Sequence, residues 1–286
     1  MSNNKYLIVY NICEIGRRNC EWYIKCIDNL LRLNHKKFHV AVSGCRVSQQ
    51  TKEELYRNLN YKLTDKELVK LKKLIKKREY GIPFAYLSGL QGFYHLDFKV
   101  SSATLIPRPE TELLIDIAMD LFKPNQLIDA IDLGTGSGII AITLADKCPA
   151  WRISASDKSI NALKIAKKNA TKDIKFYHSS WFDELTGKTF DLIVTNPPYL
   201  AENDSHLEDL KYEPIEAMVS GKDGLDDIRE IIKNAPNYLN EGGYLLLEHS
   251  DRKQKEIVEL LKDSFINIKT YQDLNGLDRA ILAELR

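Results

Sequence analysis

From residue 127 onward the apolar positions fall into two alternating rhythms. Short apolar runs, rich in Ile, Leu and Val, alternate with longer segments in which apolar residues recur every three or four positions. Runs of the first kind predict strands buried on both faces. Segments of the second kind predict helices with one apolar stripe. The order read this way is strand 127–133, helix 139–146, strand 152–157, helix 160–170, strand 174–180, strand 190–195, helix 225–239, strand 243–248 and helix 253–261. Two final strands, 265–274 and 279–285, close around Asn275-Gly276. Strands that alternate with helices predict a parallel sheet covered on both faces, an α/β fold.

The chain before this point reads differently. Tyr23, Ile24, Ile27, Leu30 and Leu31 recur at helical spacing. Thr64, followed three residues later by Glu67, is a capping-box start for a helix with Leu68, Leu71, Leu74 and Ile75 on one side. Gly81-Ile-Pro83 breaks that pattern, and the alternating segments within 84–105 predict a hairpin. Pro107-Arg108-Pro109-Glu110-Thr111-Glu112 then opens a helix, with prolines and acids at its positive end. These breaks predict a helical domain over 1–80, a hairpin linker over 81–105 and the α/β domain over 106–286. One long polar stretch, 200–224, interrupts the α/β pattern. Its position beside a strand end predicts a functional loop.

Charge separates the same two regions. Residues 1–90 hold 18 Lys and Arg against 8 Asp and Glu, while residues 91–286 hold 23 against 32. The whole chain carries a net +1 that hides this split. Lys66, Lys70, Lys72, Lys73, Lys76, Lys77 and Arg78 cover the rest of the helix after Thr64. They read either as a solvated face or as a docking surface for a large acidic or nucleic-acid-bound partner. No apolar run approaches the length that spans a membrane, and the apolar part of residues 1–10 is too short for a signal peptide, so a cytoplasmic protein is expected. The five cysteines are an odd number without a CxxC pair, and His35 and His39 have no third ligand at matching spacing. Neither a disulfide framework nor a metal site is expected.

Candidate chemistry concentrates at two turns. Asp132-Leu-Gly134-Thr135-Gly136-Ser137-Gly138 joins the first strand to its helix, where glycines permit a tight turn and close approach to a ligand. Asp157 ends the next strand, where a carboxylate can accept both hydroxyls of a ribose. Spacing alone leaves a dinucleotide as an alternative, since the string from Gly136 also satisfies G-x-G-x-x-A. The second turn, Asn196-Pro197-Pro198-Tyr199, follows the strand 190–195. Two prolines remove backbone donors and leave an acceptor-rich surface: the Asn196 side-chain oxygen and the carbonyls of Asn196 and Pro197. Two acceptors suit a substrate that presents an NH2 group, and Tyr199 offers a flat face for a planar amide or base. Read by itself, Asn-Pro-Pro-Tyr is equally an ordinary strand-end turn.

Together the two turns resemble the class I S-adenosylmethionine-dependent amino-methyltransferases. Three further stretches narrow the resemblance: Gly81 to Gly89, Leu105 to Glu112, and Tyr212 to Pro214 continuing through Gly221 to Arg229. They are similar to the HemK/PrmC family of peptide chain release factor N5-glutamine methyltransferases. The resemblance covers roughly residues 63–286.

It implies a Rossmann-like sheet and S-adenosyl-L-methionine as cofactor. It also implies transfer of a methyl group to the glutamine of the release factor Gly-Gly-Gln motif. Carried onto this chain, Gly134, Thr135, Gly136, Ser137, Gly138, Asp157, Trp181 and Asn196 would contact the cofactor, and Asn196, Pro197, Pro198 and Tyr199 would hold the glutamine. Asn196, Pro197 and Tyr199 would be the catalytic set. Trp181 would lie against adenine; it reads equally as a core aromatic. Arg108 and Glu112 are expected to order the domain junction, or simply to start a helix. Ser180 stands where relatives often carry Asp, and His249 where a small residue is usual; His249 is expected to be packing rather than a base. The alternative reading is a nucleic-acid amino-methyltransferase of the adenine N6 type, whose target is also a planar NH2. A non-catalytic adaptor with the same fold is the third.

Overall fold

A computed structural model describes residues 65–286, and the chain divides into two units, Met1–Leu90 and Gln91–Arg286. The expected helix around Tyr23 to Leu31 and the Thr64 cap lie outside the described residues.

In the first unit, α1 runs Asp65–Glu79. Most of its lysines are exposed, and Leu74 and Ile75 are half-buried. It stops at Gly81, whose φ of +91° lies in the left-handed region. The Arg78 guanidinium donates back to the Ile82 carbonyl at 3.1 Å. Residues 84–88 were expected within a hairpin and instead form a short helix, α2, Phe84–Ser88. Pro83 precedes its first turn, and Gly89 closes it with φ +72°, donating to the Ala85 carbonyl at 2.8 Å. The hairpin is shorter than predicted, β1, Leu90–Phe93, and β2, Leu96–Lys99, and from Gln91 onward it belongs to the second unit.

The second unit is a seven-stranded sheet between two helical layers. A 3-10 turn, Pro109–Thr111, leads into α3, Glu112–Leu121. There follow β3 (Asp129–Leu133), α4 (Ile139–Lys147), β4 (Arg152–Asp157), α5 (Ile160–Asn169), β5 (Lys175–His178) and β6 (Phe190–Thr195). After the long loop come α6 (Asp226–Asn234), β7 (Leu239–Glu248), α7 (Gln254–Leu261), β8 (Phe265–Gln272) and β9 (Asp278–Leu285). β7 begins four residues earlier than the sequence pattern suggests. Phe190 pairs with Leu239, a bulge follows, and regular pairing resumes from Leu192 opposite Tyr244.

Strand order is β5-β4-β3-β6-β7-β9-β8, parallel except for β9, which runs antiparallel to both neighbours. Successive residues of a strand face opposite sides, so the sheet feeds two cores. Leu192, Val194 and Leu246 pack on one side with Leu114, Ile115 and Ala118 of α3 and Ile140 and Leu144 of α4. Phe93 and Phe98 of the hairpin join this same core, edge to face at 6.1 Å between centroids. Ile193, Leu245 and Leu247 pack on the other side with Ile228, Ile231 and Ile232 of α6 and Ile257 and Leu261 of α7. β3 is followed outward by β4 on one flank and met by β6 on the other. This switch in order opens a crevice beyond the carboxyl ends of the central strands.

Candidate active site

The crevice is lined from both flanks of β3. Its wall includes Gly134, Thr135, Gly136 and Ser137 from the turn after β3, Asp157 from the end of β4, and Asn196 and Pro198 from the turn after β6. Trp181, Arg108, Thr111 and Glu216 contribute from surrounding loops. Of the residues expected to bind, Gly138, Pro197 and Tyr199 do not line it.

The glycine turn is held from beneath. The Asp132 Oδ2 accepts the Thr135 hydroxyl at 2.6 Å and the Ala141 N–H at 3.1 Å. Its other oxygen is buried without a partner, and burial pushes the carboxyl up to about 7. The Thr135 N–H donates to the Ser156 carbonyl at 2.8 Å, tying the turn to β4. Gly134 and Gly136 hold φ of +70° and +57°. A Cβ on Gly134 would stand 3.3 Å from the Trp181 ring, so glycine is what lets the indole lie on the turn. Gly138 has a different task. It caps α4 with φ +89°, and a Cβ there would come within 2.6 Å of the Ile142 side chain, behind the crevice wall.

Asp157 is buried, and both oxygens face backbone donors: Gly136 N–H at 2.8 Å and Ser159 N–H at 2.7 Å. Burial raises its pKa and these two bonds oppose the rise. Each oxygen keeps a further lone pair, the pair of acceptors that the two O–H groups of a vicinal diol require. Trp181 belongs to the core beside Phe182 and Leu185, as a core aromatic would, and it also lines the crevice. Its indole N–H donates to Asp227 of α6 at 3.1 Å. A left-handed φ of +42° aims it there. Cradling glycines, a diol-accepting carboxylate and a flat aromatic therefore fit an adenosyl group.

At the second turn, the Asn196 Nδ2 donates to the Thr111 hydroxyl oxygen at 3.1 Å. Thr111 donates to Glu248 Oε2 at 2.7 Å, and the Tyr199 hydroxyl donates to Glu248 Oε1 at 3.2 Å. Tyr199 thus turns its hydroxyl away from the crevice, toward the carboxyl end of β7. Burial and the Glu248 charge raise its pKa, so it remains a donor. Thr111 and Glu248 carry no signal of their own in the sequence. Thr111 looked like one polar residue in a helix start, and Glu248 like the end of an apolar strand.

The 200–224 loop returns to this turn. Tyr199 and Leu200 N–H both donate to the Met218 carbonyl, at 3.1 and 2.8 Å, and Ser220 N–H donates to the Leu200 carbonyl at 2.9 Å. Glu213, buried, accepts the Ile106 N–H at 2.8 Å and pairs with Arg108. Arg108 therefore orders the loop. Glu112 accepts the Tyr94 N–H at 2.6 Å and so holds the hairpin instead. His249 is fully buried, its Nδ1 against the Ser250 carbonyl at 2.8 Å and its Nε2 without a partner. Burial lowers its pKa, and it does not line the crevice. Among the described residues no group of His, Cys, Asp or Glu is placed to hold a metal ion, and no helix is long and apolar enough to cross a membrane.

Residues 111–277 match the family model of the methyltransferase small domain. The release factor glutamine methyltransferase of Buchnera aphidicola subsp. Acyrthosiphon pisum is 37% identical over 271 residues, covering 92% of this chain and 97% of the relative. That of Vibrio cholerae is 40% identical over 256 residues, covering 86% and 88%. Among solved structures, the hMettl16 catalytic domain matches with a TM-score of 0.54 at 18% identity over 77% of this chain and 82% of that one, a likeness of fold. With the strand order, the crevice and the two turns in place, the chain belongs to the release factor glutamine methyltransferases, S-adenosylmethionine-dependent enzymes on the class I methyltransferase fold.

Proposed function

We propose that this chain methylates the side-chain amide nitrogen of the glutamine in the Gly-Gly-Gln motif of peptide chain release factors, with the Asn196 turn holding that amide. One observation carries the assignment of Asn196. Its Nδ2 donates to Thr111, which leaves Oδ1 as the amide atom available to accept at the crevice that Asn196 lines. An amide nitrogen is a poor nucleophile, because its lone pair is delocalised into the carbonyl. S-adenosylmethionine, when bound, supplies an electrophilic methyl carbon. Gly134 to Ser137, Asp157 and Trp181 would hold it, Asp157 at the ribose hydroxyls and Trp181 at the adenine, with Gly138 keeping their turn in shape.

Asn196 Oδ1 at the crevice wall would accept one N–H hydrogen of the substrate amide, and the carbonyl of Pro197, whose residue does not itself line the crevice, would accept the other. Two fixed acceptors would orient the nitrogen and draw positive charge off it as the N–C bond forms. The methyl group's bond to sulfur breaks, leaving the neutral thioether S-adenosylhomocysteine, and one N–H proton is lost to water. Preorganised dipoles of this kind provide rate without a strong base. Pro198 would complete the wall. Tyr199 would hold the back of the turn through its bond to Glu248. The basic N-terminal unit, residues 1–80 in the main, would dock the body of the release factor, and the site of action would be the cytoplasm, where translation ends.

The test is transfer of labelled methyl from S-adenosylmethionine to a purified release factor and to a variant with the Gly-Gly-Gln glutamine changed to alanine. Label in the first and none in the second is expected. Label in neither, but in bulk rRNA or DNA, would overturn the substrate assignment.

A further inference from the structure

We propose that Glu248 is a positioning residue that decides which atom of the Asn196 amide faces the substrate, acting through Thr111. The inference rests on the reading of Asn196 as the substrate's acceptor.

The argument is one of donors and acceptors. Glu248 is 1% exposed, at the carboxyl end of β7. Its Oε2 lies 2.7 Å from the Thr111 hydroxyl and its Oε1 3.2 Å from that of Tyr199. An ionised carboxylate has no hydrogen to give, so both hydroxyls must donate to it. Thr111 has one hydrogen, and it is spent on Glu248. The Thr111 oxygen can then only accept, and what it accepts, at 3.1 Å, is the Asn196 Nδ2. The Asn196 amide is thereby held with its NH2 inward and its Oδ1 outward.

Protonation of Glu248 reverses the chain. A neutral carboxyl can donate to Thr111, and the freed Thr111 hydrogen can then go to Asn196. That favours the flipped amide, with Oδ1 inward and NH2 toward the crevice. An outward NH2 meets the NH2 of a substrate amide donor to donor. The productive orientation therefore requires the carboxylate.

The charged and titratable groups around Glu248 come from three elements. Arg279 of β9 and Tyr199 of the turn favour the carboxylate, as does the Thr111 hydroxyl. Glu110 of the 3-10 turn opposes it. Burial opposes it most, and the group lies at about 7. Arg279 is itself fixed by Asp273 at 3.2 Å. Turnover should consequently rise through neutral pH as Glu248 ionises.

The experiment measures kcat at saturating release factor for Glu248→Gln, Thr111→Val, Thr111→Ser and Asn196→Ala, with calorimetric binding of S-adenosylhomocysteine as the control. Glu248→Gln and Thr111→Val should each lower kcat by about tenfold or more, the effect of unpairing one buried polar group. Cofactor-product affinity should stay within about twofold, which separates orientation from collapse of the crevice. Thr111→Ser, which keeps the hydroxyl, should recover most of the rate. The wild-type pH profile should show an acid limb near 7 that Glu248→Gln lacks. Full turnover in Thr111→Val, or an unchanged acid limb in Glu248→Gln, overturns the inference. Should Glu248→Gln not fold, the Thr111 pair decides alone: no recovery in Thr111→Ser overturns it. Asn196→Ala distinguishes the two levels. Full activity there removes the reading of the turn itself. An inactive Asn196→Ala beside fully active Thr111→Val and Glu248→Gln overturns only the role of Glu248.

Discussion

Gly224 lies directly against the backbone of Tyr199: a Cβ at Gly224 would stand 2.4 Å from the Tyr199 carbonyl oxygen and 3.0 Å from its carbon. Gly224 also holds φ +81°, a region that side chains rarely adopt. The far end of the long loop is thus pressed onto the Asn-Pro-Pro-Tyr turn, and only glycine permits the approach. Gly224→Ala should destabilise the protein by about 1–3 kcal/mol, the usual cost of overpacking. It should also lower kcat, because the atom that must yield belongs to the turn that carries Asn196. Thermal melting and turnover check this together. Unchanged values for both would mean that the loop tolerates separation from the turn.

Glu213 makes a second attachment of the same loop. Its carboxylate joins the Ile106 N–H to Arg108, whose side chain is 32% exposed and lines the crevice. Glu213→Ala leaves a backbone donor and a guanidinium without their shared acceptor, a loss of about 1–3 kcal/mol. Glu213→Gln keeps an acceptor for Ile106 and loses only the charge pair. Cofactor-product affinity measured by calorimetry should fall in the order wild type, Glu213→Gln, Glu213→Ala. Equal affinities in all three would show that the loop does not govern occupancy of the crevice.

The strand–helix alternation after residue 127 was legible because each strand carries its own apolar run. Leu192, Ile193 and Val194 are buried on both faces, as are Leu245, Leu246 and Leu247. Residues 84–88 were misread because Phe84-Ala-Tyr-Leu-Ser is too short for a helical period to show, and its ends are set by Pro83 and Gly89. The start of β7 was hidden by a bulge over Asn240 to Gly243, which breaks the alternation. Gly134, Gly136, Asp157 and Asn196 reach the crevice as the sequence places them, because each stands just at or after a strand end. Thr111 and Glu248 were not legible: their meaning lies in a contact 137 residues apart along the chain.

Asp157 gives a sharp test of cofactor binding. Its two oxygens accept the Gly136 and Ser159 N–H groups at 2.8 and 2.7 Å. Asp157→Asn would set an NH2 against one of these donors, and so would disturb the glycine turn as well as remove charge. Affinity for S-adenosylhomocysteine should drop by at least about tenfold, the cost of leaving one buried donor unpaired. The release factor KM should change less. A larger change in KM than in cofactor affinity would place Asp157 on the substrate side of the crevice.

Stability should carry the signature of the buried Glu248. Burial lifts its carboxyl from the ordinary 4.5 to about 7, against the help of Thr111, Arg279 and Tyr199. Between those values the native state holds a proton that the unfolded chain has released. The native state thus binds more protons, and stability falls as pH rises. The contribution is fully present below the unfolded value and is lost as pH passes through the folded one. Asp132, also lifted to about 7 by burial, acts in the same direction. His249 acts oppositely, since burial lowers its pKa and its contribution is lost on acidification. Both are common to wild type and Glu248→Gln, so they cancel in a difference. The melting temperature of Glu248→Gln minus that of wild type should rise between about pH 5 and about pH 8 and then level off. Parallel curves would mean that Glu248 titrates alike in the folded and unfolded chain, and that its burial costs the carboxylate nothing.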